Sequence, residues 1–140
     1  MWLAALAVAL VGCPDDGPPE CVTVDTLCAP LYQPTFENVF NNTIRMTCGN
    51  QLGSCHSAQG AGNMSLVDAP TAYASLLDGR VTPGDPGCSE LIVRTHAPGK
   101  SYLMPPGSGP GLSAPERCAL VQWVQAGAPG PVTVAPGTAP

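Results

Sequence analysis

The sequence predicts a small all-α domain with long Gly/Pro-rich loops, and three observations carry that expectation. Capped segments with apolar residues at helical spacing recur along the chain, and neither a pair of alternating, strand-like runs nor an internal repeat is visible. Gly at 16 and Pro at 17 of 140 residues supply the loops. An apolar share of 44% still leaves enough for one core, and the length suits one domain with tails.

The first helix begins just after Pro34, with Thr35 as N-cap and Glu37 in the first turn, where the helix dipole favours an anion. Phe36, Val39, Phe40 and Ile44 share one face, and Gly49 and Asn50 end it. Residues 47–65, rich in Gly, Asn and Ser, read as loop. A second helix is signalled by Asp68 as N-cap, Pro70 in the first turn, the run Ala72 to Leu77, and Gly79 as the stop. A shorter helix follows Pro86, roughly Cys88 to Thr95, with Leu91 and Ile92 inward, and residues 97–111 are loop again. In the last helix Ser113 and Glu116 match a capping box, Leu120, Trp123 and Val124 supply the apolar face, and Gly127 ends it. Residues 129–140 read as a disordered tail. Loops this long in a compact domain point to a ligand.

The net charge is −5, and the five basic residues, Arg45, Arg80, Arg94, Lys100 and Arg117, are scattered. Nucleic-acid binding needs a clustered positive footprint, so no nucleic-acid partner is expected. Residues 1–12 form an uncharged apolar run, shorter than the about 20 residues of a membrane-spanning helix and suited to a signal peptide. No Lys or Arg precedes it, a departure from the usual positive n-region. Leu10-Val11-Gly12-Cys13 resembles the lipobox of bacterial lipoproteins. That resemblance implies lipidation at Cys13, a membrane anchor, and a place in the cell envelope facing the periplasm or the exterior. Residues 13–34, acidic and Pro-rich at their start, then read as a lipid-anchored linker, and residues 35–128 as the domain.

Setting Cys13 aside leaves six cysteines: Cys21, Cys28, Cys48, Cys55, Cys88 and Cys118. An even set in an exported domain reads as bridged or otherwise covalently used, and its connectivity is open. A Cys88–Cys118 bridge would staple two helices, and Cys21–Cys28 would close a small loop in the linker.

Two further features converge on haem. Cys55-His56 with Cys48 upstream offers thiols beside an imidazole, as c-type attachment requires, and Met104-Pro105-Pro106 places a thioether on a stiff loop. The order of pieces is similar to that of the small cytochrome c-type domains of exported bacterial lipoproteins. Cys55-His56-Ser57, Pro83-Gly84-Asp85-Pro86, Ser89-Glu90-Leu91, Met104-Pro105-Pro106, Leu112-Ser113-Ala114-Pro115-Glu116 and Trp123-Val124-Gln125-Ala126-Gly127-Ala128 carry it over residues 35–128. The resemblance implies a cytochrome c-like helical fold and one covalent haem c, with Cys48 and Cys55 as thioether donors and His56 and Met104 as iron ligands. It also implies an electron-transfer function without bond chemistry, not an enzyme, working with a redox protein partner. The departure is the spacing: six residues separate Cys48 from Cys55 where the family has two. Haem held by both thiols, haem held by Cys55 alone, and a Cys48–Cys55 disulfide on a haem-free domain all remain open. The last is the alternative reading, a disulfide-stapled structural or binding domain.

Blander roles compete. Met104 suits an apolar plug, His96 a capping group for helix-end carbonyls, and Trp123 a core residue. Zinc held by Cys48, Cys55 and His56 lacks a fourth ligand. Neither C-x-x-C near a βαβ unit nor a G-x-S-x-G elbow is present.

Overall fold

Short polar side chains set the helix starts. The Thr35 hydroxyl accepts from the Asn38 amide at 3.3 Å, and Asp68 accepts from Thr71 at 2.9 Å. Ser113 accepts from Glu116 while the Glu116 carboxylate accepts the Ser113 amide at 2.8 Å, the reciprocal capping box. In the computed structural model, which describes residues 17–49, 55–58, 60–107, 109 and 111–132, these caps open α1 (Phe36–Val39), α2 (Ala69–Leu77) and α4 (Ala114–Gln125). Helix α3 (Glu90–Thr95) completes the set, and no strand is found among the described residues. The chain has a small helical fold. The apolar run 1–12, Cys13 and the tail beyond residue 132 lie outside the described residues. Within the described residues no helix is long and apolar enough to cross a membrane.

Helix α1 does not continue as an α-helix. From Phe40–Cys48 it widens into a π-helix, whose last turn closes with the Gly49 amide on the Ile44 carbonyl at 3.0 Å. Such segments are rare and often mark functional sites. Phe36, Val39, Phe40 and Ile44 are buried, as their spacing predicts, and the wider turn also buries Thr43, which hydrogen-bonds the Tyr32 hydroxyl.

The core forms where α1 packs against α4. Trp123, fully buried, lies 5.6 Å from the Phe36 ring, which meets Tyr73 of α2 edge-on at 5.0 Å. The indole N–H donates to the Pro129 carbonyl at 3.0 Å, so the chain just past α4 is tied back to the core. On α3 the fully buried residues are Ile92 and Val93, while Leu91 is only partly buried.

The expected local bridge and the expected Cys88–Cys118 staple are both corrected. Cys21 pairs with Cys88 and Cys28 with Cys118, closing separations of 67 and 90 residues. The reason lies in the segment read as linker. From Cys21 to Asp25 it runs extended along the domain, with Val22 and Val24 turned toward the core and Cys21, Thr23 and Asp25 exposed. The Val22 amide donates to the Gly87 carbonyl at 2.8 Å, and Gln122 of α4 donates to the Cys28 carbonyl at 2.8 Å. The arm delivers Cys21 to the start of α3 and Cys28 to α4, so each meets a cysteine distant in sequence. The segment from Cys21 is thus tied to the helical part by two bridges and by backbone and side-chain hydrogen bonds.

Candidate functional site

Cys48, Cys55, His56 and Met104, distant in sequence, come together at one pocket. Cys48 stands on the last residue of the π-helix, and Gly49 lets that end press against the Leu66 backbone. A Cβ on Gly49 would lie 2.0 Å from the Leu66 carbonyl oxygen. Gly49→Ala is therefore expected to destabilise the domain by about 1–3 kcal/mol through overpacking. Urea unfolding checks this, and an unchanged midpoint would contradict the close approach.

The next turn is pinned from several sides. The Ala61 amide donates to the Cys55 carbonyl at 2.6 Å and the Leu66 amide to the His56 carbonyl at 2.9 Å. His56 Nδ1 lies 3.1 Å from the Ala61 carbonyl. A carbonyl only accepts, so Nδ1 is the donor in this contact. Met104 is fixed from α3, its amide donating to the Arg94 carbonyl at 3.0 Å.

Two adjoining cavities result, sharing Cys48, His56 and Met104. The first, about 180 Å³, lies against Cys55, Pro105 and Pro106. The second, about 250 Å³, is walled by Met64, Leu66 and Leu91 and bordered by Arg80, Glu90 and Arg94. A larger cleft of about 310 Å³ shares Met64 with the second cavity and is otherwise lined by small and polar residues such as Asn63, Ser65 and Ser75, with no titratable group among the described residues.

The two thiols are free and unequal. Cys55 is exposed, whereas Cys48 is half-buried. Burial pushes the Cys48 thiol up to about 11, and the neighbouring Cys55 and Glu116 add to the shift. At neutral pH Cys48 is a protonated thiol and a poor nucleophile.

These residues do not fit the covalent haem expected of them. Among the described residues no group of three or more His, Cys, Asp and Glu side chains could hold a metal ion. Four of the other cysteines are spent on the arm. The electron-transfer reading, one covalent c-type haem with His56/Met104 ligation, is therefore corrected: the two bridges and the lack of a metal-holding group among the described residues favour the haem-free alternative. The four residues line a pocket instead.

Comparison with protein-family models, with characterised proteins and with solved structures finds no match.

His96 sits away from the pocket's walls at the end of α3, its Nδ1 3.0 Å from the Ile92 carbonyl. Burial lowers its pKa, more than the Ile92 hydrogen bond raises it. A histidine depressed in the folded state stays neutral while the unfolded chain takes up a proton, so stability falls as pH drops through about 6.5. His96→Asn is expected to flatten the loss of unfolding midpoint between pH 7.5 and 5. Equal slopes in both proteins would remove His96 from that dependence.

Sequence reasoning missed the Arg80–Glu90–Arg94 cluster. Glu90 and Arg94 stand at i,i+4 on α3 with Arg94 Nε 2.7 Å from the carboxylate, a pairing visible in the sequence. Arg80 arrives from the turn after α2, at 3.4 Å, and only the fold brings it there.

Proposed function

We propose that the chain is a haem-free, disulfide-stapled lipoprotein whose cytochrome c-like helical domain serves as a binding module at the cell envelope. Cys13 anchors it to a membrane and the domain carries no catalysis of its own. The observation that carries this reading is the pair of long-range disulfides. They commit Cys21, Cys28, Cys88 and Cys118 to architecture and brace the arm against the regions of α3 and α4. Bridges of this kind belong to exported domains with modest cores. The six ordered motifs from Cys55 to Ala128 support the likeness of the helical frame to cytochrome c-type domains. The six residues between Cys48 and Cys55 support the loss of haem from it.

The reading is tested by producing the chain in an oxidising compartment together with haem-attachment machinery. A reduced-minus-oxidised spectrum is expected to lack haem bands after denaturing chromatography. Bands that stay with the polypeptide would overturn the reading.

A further inference from the structure

We propose that the 250 Å³ cavity beside α3 binds a small amphipathic monocarboxylate, its apolar part between Leu66, Leu91 and Met104 and its carboxylate on Arg80 and Arg94. The inference rests on the binding-module reading and names the ligand class.

Size comes first. A dry apolar cavity of about 150 Å³ holds benzene, so one of about 250 Å³ takes a substituted ring or an alkyl chain of about eight carbons. Leu66 is buried, Met64 and Leu91 are partly buried against the core, and Cys48 is a neutral thiol. None of these competes with an apolar tail.

Charge at the mouth selects the head group. Glu90 divides its carboxylate between the two guanidinium groups, with Oε1 on Arg94 and Oε2 on Arg80. The trio keeps one net positive charge in a chain whose formal charge is −5. Arg80 spends a further N–H on the Gly62 carbonyl at 2.9 Å. The terminal nitrogens of Arg94 have no protein acceptor among the described residues. A guanidinium edge left this way accepts a carboxylate through paired N–H bonds. Glu90 has both oxygens engaged, which disfavours a cationic ligand, and one net positive charge is matched by a monoanion.

Stability does not explain the cluster. All three side chains are about a third exposed, and exposed ion pairs contribute about 0–1 kcal/mol. Two of the chain's five basic residues nevertheless border this one cavity.

Titration calorimetry of the full chain carrying Cys13→Ser, disulfides intact, uses octanoate and 1-octanol as probes. Octanoate is expected to bind at least about tenfold more tightly than 1-octanol, the scale of a charge-assisted pair. Arg94→Gln is expected to weaken octanoate about tenfold and leave 1-octanol unchanged. Leu91→Trp, which fills the cavity, is expected to abolish both while the unfolding midpoint shows the domain still folded. Equal affinity for the two probes, or an unchanged ratio in Arg94→Gln, would overturn the carboxylate assignment. Absence of binding by either probe would overturn the site itself. The reading beneath it fails by a separate sign, haem retained on the polypeptide.

Discussion

Replacing Cys21 and Cys28 together with Ser is expected to cost the domain most of its stability. The two bridges span 67 and 90 residues, and removing one native disulfide from a small exported domain typically costs about 2–5 kcal/mol. The loops overlap in sequence, so the losses add incompletely. Even one loss at the middle of that range is large against the roughly 5–15 kcal/mol of a typical domain. At about 4–8 °C per kcal/mol for a domain this size, the melting midpoint should fall by more than about 10 °C. Scanning calorimetry reads this directly. The single variants carry further information. Cys28→Ser frees the arm from α4, where Gln122 also holds it, and Cys21→Ser frees it near Gly87, where only the Val22 amide remains. Variants that melt with the parent would show that the arm braces nothing.

Trp123→Ala carries the second large effect, expected at about 3–5 kcal/mol. The indole is fully buried, touches Phe36 across α1, and holds Pro129 through its N–H. Truncation leaves a cavity where α1 packs against α4 and removes the tie on the chain past α4. Trp123→Phe keeps the ring contact and loses the hydrogen bond, so it should fall between the two. Trp123 is the only tryptophan after Cys13, and its fluorescence reports the parent's unfolding. An alanine variant as stable as the parent would place the core elsewhere.

The helices were legible because their signals are local. Thr35, Asp68 and Ser113 cap as their residue types predict, and the apolar spacing of Phe36, Val39, Phe40 and Ile44 marks the buried face. The π-helix was not legible, since an i,i+4 spacing fits both helix types and the choice depends on what Thr43 and Cys48 meet. The arm was hidden because its residues alternate in exposure without the ladder of a strand, behind a Pro-rich start that reads as linker. Cysteine pairing follows chain path, which spacing does not encode. For the candidate site, sequence order brought Cys48, Cys55, His56 and Met104 together correctly as neighbours. It could not supply the chain path that commits the other four described cysteines to the arm. Arg80 joined them only through the fold.

The central claim is that cysteines in this chain build architecture and do not carry haem. Intact mass of the protein, made in an oxidising compartment beside haem-attachment machinery and kept non-reduced, tests it most directly when followed by peptide mapping. The expected result is two cross-linked pairs, Cys21 with Cys88 and Cys28 with Cys118, and no adduct on Cys48 or Cys55. A haem mass on either of those residues would contradict the account.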